Sequence, residues 1–310
     1  GEVFLHTTNP KEARGDGVAM AYRAGARIMN MEYVQFHPTA LFVPSERRFL
    51  LSEALRGEGA ELLGCDLKSF MHLYHEKSSL APRDIVARSM YQEMVKADVP
   101  HLWLDISFRD PVWLKDRFPS IYSHCQAKGF DMTKEPIPVV PAAHYACGGV
   151  AVDEKGKTSI LRLRGIGEVS CTGLHGGNRL ASTSLLEGLV WGKVCADDLS
   201  AELPKRKDYF PSVEEWVMSE EPVDKALIQQ DWMTIKQTMW NYVGLIRDKH
   251  RLCRALKMLQ ELKWEIESFY EKGKLNPELL GLRNGVQIAL LITQGALRNK
   301  HSLGCHYRLT

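Results

Sequence analysis

The sequence predicts a mixed fold, α/β plus α+β over most of its length, closing on an all-helical end. Three observations point there. Short apolar runs, glycine turns and helical stretches alternate as far as about Pro211. Beyond Pro222, apolar residues recur at steps of three and four through three successive stretches. Between these regions, residues 141–184 concentrate two histidines (His144, His175), Arg179, Glu168 and a cluster of glycines, a set that is costly in a core and natural in a site.

Taken in order, residues 3–6 (VFLH) read as a short strand, followed by a turn-rich TTNP segment. Gly15-Asp16-Gly17 reads as a turn before a helix of small residues, Val18, Ala19, Met20 and Ala21. Such residues imply close packing against a sheet, and the apolar partners it needs are not found upstream. MEYVQFHPTAL reads as a strand ending at Pro38. FLLSEALRGEGAEL reads as a short apolar strand and an exposed glycine-rich turn. LAPRDIVARSMYQEMV reads as a helix with Pro82 at its start and a buried face of Val86, Met90 and Met94. HLWLDIS reads as a strand, GGVAVDEKGKT as a hairpin strand and turn, and residues 164–169 as a strand with a glycine-rich exit. Residues 184–199 read as a helix opened by a Ser184-x-x-Glu187 capping box. Ile228, Trp232, Ile235, Met239, Val243 and Ile246 form one helical stripe, and Leu252, Ala255, Leu259, Leu262, Ile266 and Phe269 another. With a third stretch from Pro277 to about Lys300, they predict an antiparallel three-helix bundle.

The 310 residues, 45% hydrophobic and 25% charged, suffice for about two compact units with cores of their own. A net charge of +2 removes any bulk electrostatic case for nucleic acid or an acidic membrane, so anion recognition must be local. No apolar run approaches the roughly 18 residues that span a bilayer, and no signal peptide is visible. The seven cysteines are scattered without C-x-x-C spacing, which argues against a zinc site and suits reduced thiols in a cytosol-like compartment. His72 and His75 lack a third ligand, so no metal is expected.

Two groups of residues carry chemistry. A glycine exit leading to a helix N-terminus leaves backbone N–H groups that attract anions or electron-rich rings. Glu168, beside that exit, can accept hydrogen bonds from ribose or ribityl hydroxyls, and Ser184 opens the helix. An ordinary βα connection with a capped helix would show the same residues. The second group is cationic: His37 in QFHPT, Arg83 in LAPRD, His144 in PAAHY and Arg179 in HGGNRLAS. Arg83 falls in the first turn of its helix, where a cation opposes the helix dipole at a cost of about 0.3–1 kcal/mol. Arg56 and Arg88 read instead as plain surface or ion-pair residues. Converging on one cavity, with Ser52 adding a hydroxyl, the four would suit a small dicarboxylate, because arginine–carboxylate bonds are directional and charge-assisted.

The motifs TTNP, GDG-x-AMA-x-RAG, QFHPTAL, SEALRGEG, LAPRD, EPIPVVPAAHY-x-CGGV, IGEV, TGLHG-x-NRLAS and SLLE, taken together, resemble the flavoprotein subunits of succinate dehydrogenase and fumarate reductase. Within that superfamily, PAAHYACGG and TGLHGGNRLAS are most similar to the L-aspartate oxidase family. The resemblance implies an interrupted FAD-binding domain of the glutathione-reductase type, an α+β capping domain and a C-terminal three-helix bundle. It divides the chain into residues 1–30 (the end of a first FAD-binding segment), 31–145 (capping domain), 146–215 (second FAD-binding segment) and 216–310 (bundle). It implies FAD as cofactor, bound by Glu168, Ser184 and the backbone around Leu185. His37, Ser52, His144 and Arg179 would bind the substrate carboxylates, with Arg83 beside C2–C3. The implied reaction is hydride transfer from C2 of L-aspartate to flavin N5, with oxygen or fumarate as acceptor. Its product, iminoaspartate, would pass to quinolinate synthase in NAD biosynthesis, in the cytoplasm or, in a plant, in the plastid. Fumarate reduction or succinate oxidation on the same fold is the alternative.

The resemblance also implies that the N-terminal dinucleotide-binding half is missing, so the chain alone is expected to be poorly active or a non-catalytic fragment. Some positions depart from the family pattern: Arg164 replaces an aromatic, HGANR is HGGNR, ASNS is ASTS at Thr183, Leu303 replaces an arginine, and a DG-x-RF turn has become DLKSF. These departures put local packing and the docking of the last domain in question.

Overall fold

The computed structural model describes residues 1–205, 211–215 and 219–309. The expected boundary at 215/216 borders residues outside that set. In chain order the strands are β1 (Ile28–Met29), β2 (Val34–Leu41), β3 (Phe49–Leu50), β4 (Glu61–Leu63), β5 (Leu102–Asp105), β6 (Ile137–Ala146), β7 (Gly149–Ala151) and β8 (Ser170–Cys171). The α-helices are α1 (Asp16–Arg23), α2 (Glu53–Gly57), α3 (Arg83–Ala97), α4 (Pro111–Arg117), α5 (Pro119–Ala127), α6 (Thr183–Glu202), α7 (Lys225–Val243), α8 (Lys249–Lys272) and α9 (Pro277–Arg298). They fall into two compact units. The first contains Gly1–Leu5, Pro10–Val34 and Tyr145–Thr310; the second contains His6–Asn9 and Gln35–His144.

The second unit is built on a five-stranded sheet of order β3-β2-β6-β5-β4. Its core joins Leu41, Leu51 and Leu55 to Val86 and Met90 of α3 and to Leu102, Leu104, Ile137 and Val139. The expected buried face of α3 is present at Val86, Met90 and Met94, with Pro82 as the N-cap residue. Three expectations change here. Residues 3–6 form turns rather than a strand, and the chain meets the sheet through a single bridge between Thr7 and Ala143. β2 does not end at Pro38 but continues, wholly buried, to Leu41. The N–H that follows the proline, that of Thr39, donates to His37 Nδ1 at 3.2 Å. The glycine-rich SEALRGEG segment is a helix, α2, capped by Ser52, whose hydroxyl accepts from the Ala54 N–H at 3.2 Å.

The first unit carries a three-stranded sheet of order β1-β7-β8 and the helical bundle. Glycines let its strands approach closely: a Cβ on Gly148 would stand 2.1 Å from the Asn30 carbonyl oxygen, and one on Gly149 2.4 Å from that of Val169. The Gly15-Asp16-Gly17 run is the start of α1 rather than a separate turn, with Gly15 as N-cap at φ 85°. The partners missing upstream lie downstream, since a Cβ on Gly15 would meet Ile288 of α9 at 2.7 Å and one on Gly17 would meet Val169 at 2.9 Å. β7 pairs antiparallel with β1 and parallel with β8 rather than forming a hairpin. Residues 164–169 are not a strand; Gly167 takes φ 75° and a short 3-10 helix (Gly167–Val169) precedes β8.

The expected bundle is present as α7, α8 and α9, N-capped by Asp224, Asp248 and Asn276, each accepting from a backbone N–H of its first turn. The departures at Arg164, Gly177 and Leu303 find partners. Arg164 pairs with Asp198 at 2.6 Å and Glu202 at 3.1 Å on α6. Leu303 packs where a Cβ on Gly177 would lie 3.2 Å from its Cγ, so the smaller glycine makes room for it. In DLKSF, by contrast, Leu67 is forced to φ 58°, a conformation glycine adopts without strain.

Candidate functional site

His37, Arg83 and His144 come together in the second unit. β2 points Gln35 and His37 to the same side by strand alternation. The His37 ring, 1% exposed, lies edge-on to that of His144 with centroids 5.3 Å apart. Because its Nδ1 accepts the Thr39 N–H, the neutral ring carries its proton on Nε2 as a donor. Burial, and then the charges of Arg83, His144 and Arg56, hold the His37 pKa well below its ordinary value. His144 Nδ1 is paired with the Thr8 hydroxyl at 2.8 Å.

Arg83 begins α3, as expected, and its unfavourable position against the helix dipole is offset by a carboxylate. Its Nε and Nη2 donate to Glu53 Oε2 at 2.8 and 2.5 Å, and its Nη1 to Gln35 Oε1 at 3.2 Å. Burial alone would raise the Glu53 pKa, but hydrogen bonds and charge from Arg83 and Arg56 keep it below the usual carboxylate range. Arg56 is not a surface residue: at 1% exposure it donates to the Ser79 carbonyl at 2.7 Å and to Glu53 at 3.1 Å. Arg88 makes the expected ion pair, with Asp84 at 3.7 Å. Ser52, half-buried, is one residue from Glu53 and caps its helix. Glu53 and Gln35, which fix Arg83, were not singled out from the sequence; an acid at the first position of a helix looks like ordinary dipole complementarity.

Arg179, Glu168, Ser184 and Leu185 belong to the first unit. Arg179, 7% exposed, lies 4.3 Å above the ring of Tyr145 and donates through Nη1 to Ser184 Oγ at 3.2 Å. Beneath it is a buried network in which His175, marked from the sequence, meets Glu187, Thr172 and Tyr145. Glu187, 2% exposed, accepts from the Thr172 hydroxyl and pairs with His175 Nε2 at 2.8 Å; the Tyr145 hydroxyl lies 3.1 Å from the same nitrogen. The expected capping box is therefore absent. α6 begins at Thr183 after Ser182 at φ 65°, without a side-chain cap, and Glu187 turns inward. Burial first, and then the charges of Glu187 and Glu168, raise the Tyr145 pKa.

Glu168 is exposed and its Oε1 accepts the Ala146 N–H at 3.1 Å. It lines a cavity of about 230 Å³ whose walls are mostly apolar (Val3, Phe4, Val18, Met31, Ile288, Ile292). An apolar slot edged by one carboxylate and by glycine backbone, at Gly15, Gly17 and Gly148, suits part of a flat conjugated ring bearing polyol hydroxyls. The adjoining helix is open: on α6, Leu185, Leu186 and Leu189 are 78%, 62% and 72% exposed, and only Glu187 and Cys195 are buried.

The pattern of the FAD binding domain family matches residues 2–185, more than half of the chain, and the chain belongs to that family, whose cofactor is FAD. The fumarate reductase flavoprotein C-terminal domain matches residues 233–309. The chain is 45% identical over 311 residues to an L-aspartate oxidase of Acinetobacter baylyi and 47% identical over 310 residues to one of Yersinia pestis. Both matches take in 99% of this chain but 57% and 58% of those relatives, so it spans somewhat over half of their length. Among solved structures, the FrdA chain of E. coli quinol fumarate reductase superposes with a TM-score of 0.87 at 26% identity, over 100% of this chain and 58% of that one. Among the described residues, no helix is long and apolar enough to cross a membrane.

Proposed function

We propose that this chain provides the dicarboxylate-binding side and part of the FAD site of an L-aspartate oxidase. The observation that carries the reading is its 45–47% identity, over 99% of the chain, to proteins of that name. The cluster of His37, Arg83 and His144 gives the reading a chemical basis. In it, His37, Ser52, His144 and Arg179 hold the two substrate carboxylates, each charge-assisted hydrogen bond contributing about 1.5–3 kcal/mol. His37 does so as a neutral Nε2–H donor. Arg83, clamped by Glu53 and Gln35, orients C2–C3 and stabilises charge there. FAD, when bound, supplies the two-electron acceptor for the hydride on C2; Glu168, Ser184 and the backbone around Leu185 hold it. The product is iminoaspartate, the electrons pass to oxygen as peroxide or to fumarate, and quinolinate synthase takes the product in the cytoplasm or, in a plant, the plastid. The length of the relatives that this chain does not span, read as an N-terminal dinucleotide half, completes the FAD site and covers the leucines of α6.

The match to the fumarate reductase C-terminal domain supports a second reading, reversible succinate oxidation. One experiment separates the two. The chain is mixed with FAD and with the unspanned part of the Acinetobacter baylyi relative, gel-filtered, and titrated anaerobically. Bleaching of the retained flavin band by L-aspartate and not by succinate is the expected result. Bleaching by succinate alone favours the second reading, and bleaching by neither removes both.

A further inference from the structure

The Thr7-Thr8-Asn9 run of the TTNP motif lies against the end of β6, in the second unit, and supplies none of the residues proposed to touch substrate. Thr7 bridges to Ala143. The Ala143 N–H donates to the His6 carbonyl at 2.9 Å, and the Thr8 N–H donates to the Ala143 carbonyl at 3.1 Å. The Thr7 hydroxyl stands 2.9 Å from the same carbonyl and 3.1 Å from Asn9 Oδ1. The Asn9 side-chain amide donates to the His144 carbonyl at 3.0 Å. The main chain is thereby held on both sides of the His144 Cα, and Thr8 Oγ1 comes to rest 2.8 Å from His144 Nδ1.

We propose that Thr8 sets the tautomer of His144: its hydroxyl donates to Nδ1, which leaves the ring proton on Nε2. The hydroxyl carries a single proton. Besides Nδ1, its other acceptor is the Ala143 carbonyl at 3.5 Å, beyond the roughly 2.5–3.0 Å of an O–H···O bond. That carbonyl already accepts the Thr8 N–H. In the reverse arrangement Nδ1–H would donate to Oγ1, and the hydroxyl proton of the half-buried Thr8 would keep only that long contact within the chain. Donation to Nδ1 satisfies both groups at once.

The neighbouring ring is held the same way by a different donor, since His37 Nδ1 accepts the Thr39 N–H at 3.2 Å. Two imidazoles with centroids 5.3 Å apart are thus both kept as neutral Nε2–H donors, one by a backbone amide and one by a hydroxyl. A carboxylate accepts from such donors and is repelled by an unprotonated ring nitrogen. Thr8 is therefore a positioning residue, acting through His144 rather than on substrate. The service of that donor to a carboxylate rests on the dicarboxylate reading proposed above; the tautomer does not.

The test is nuclear magnetic resonance of the chain carrying nitrogen-15 in its histidine rings, by long-range proton–nitrogen correlation at about pH 8, where an ordinary imidazole is neutral. The His144 signal is the one lost in His144→Gln. An unprotonated, hydrogen-bonded Nδ1 and a protonated Nε2 are expected in the unsubstituted chain and in Thr8→Ser. In Thr8→Val, which keeps the shape and removes the hydroxyl, the His144 ring should move towards the Nδ1–H form while the His306 signal keeps its place. A His144 ring protonated on Nδ1 in the unsubstituted chain, or unchanged in Thr8→Val, would overturn the proposal. Should Thr8→Val fail to fold, Thr8→Ala makes the same comparison. Succinate is added last. Affinity weakened at least about tenfold in Thr8→Val and regained in Thr8→Ser is expected, and equal affinity in all three proteins would overturn the positioning role. Binding to none of them, with the ring signals as expected, would remove the dicarboxylate reading and leave the tautomer assignment standing.

Discussion

The sheet unit around His37 and the α6 region of the other unit contrast in how much of their chemistry is already enclosed. Around His37, ionisable groups are buried or half-buried, paired and backed by a core that includes Leu41, Met90 and Val139. Along α6, a buried polar network under Arg179 stands next to a run of leucines open to solvent. A surface of that kind ordinarily belongs to an interface. The His37 region is closed by the core of its own unit, whereas the α6 face leaves apolar surface open to solvent.

Substitutions in the two regions probe that contrast. Glu187→Ala should have the largest effect on stability. It leaves His175, Thr172 and Tyr145 without their shared acceptor, and urea unfolding should show a loss of about 3–5 kcal/mol. A loss below 1 kcal/mol would mean that the network is solvated. Next come two leucines of the same size. Leu55→Ala, in the closed core, should cost about 2–5 kcal/mol, whereas Leu189→Ala on α6 should stay within about 0.5 kcal/mol in the same chain. Equal costs would show that the α6 face is already covered.

Acid should act through three imidazoles, two buried (His37, His306) and one half-buried (His6). Burial and the Arg48 charge lower His6 to about 3, and burial and the Arg247 charge lower His306 to about 4; His37 is also held well below its ordinary value. Above pH 6.5 folded and unfolded chains are both neutral at these rings, and the stabilisation is fully present. Between pH 6.5 and about 4 the unfolded chain takes up protons that the folded chain refuses, so the urea midpoint should fall steadily as pH falls. A flat midpoint from pH 7 to 5 would contradict the burial of these rings. The smallest effect is a gain: Leu67→Gly relieves a left-handed backbone and should stabilise by about 1 kcal/mol, read as a higher melting temperature.

Periodicity made α3 and the three bundle helices legible, because their apolar faces are what the core consumes. It failed where a local rule was overridden by a distant partner. Glu187 has the spacing of a cap, yet His175 and Thr172 draw it inward. Pro38 signals a strand end, yet β2 runs through it, wholly buried, to Leu41. Arg56 looks like a surface cation in a glycine-rich turn, yet α2 carries it under Ser79. At the candidate site, the cationic residue types were readable, but Glu53 and Gln35, which orient Arg83, were not, since only the tertiary fold brings them to it.

The role proposed for His37, Arg83 and His144 is recognition of a dicarboxylate. The most direct measurement is calorimetric titration of L-aspartate and of succinate into the chain, the His37→Ala variant and the Arg83→Leu variant. Saturable binding to the unsubstituted chain, weakened at least about tenfold in each variant (about 1.4 kcal/mol), is expected. Binding of equal strength in all three proteins, or no saturable binding in any, would contradict it.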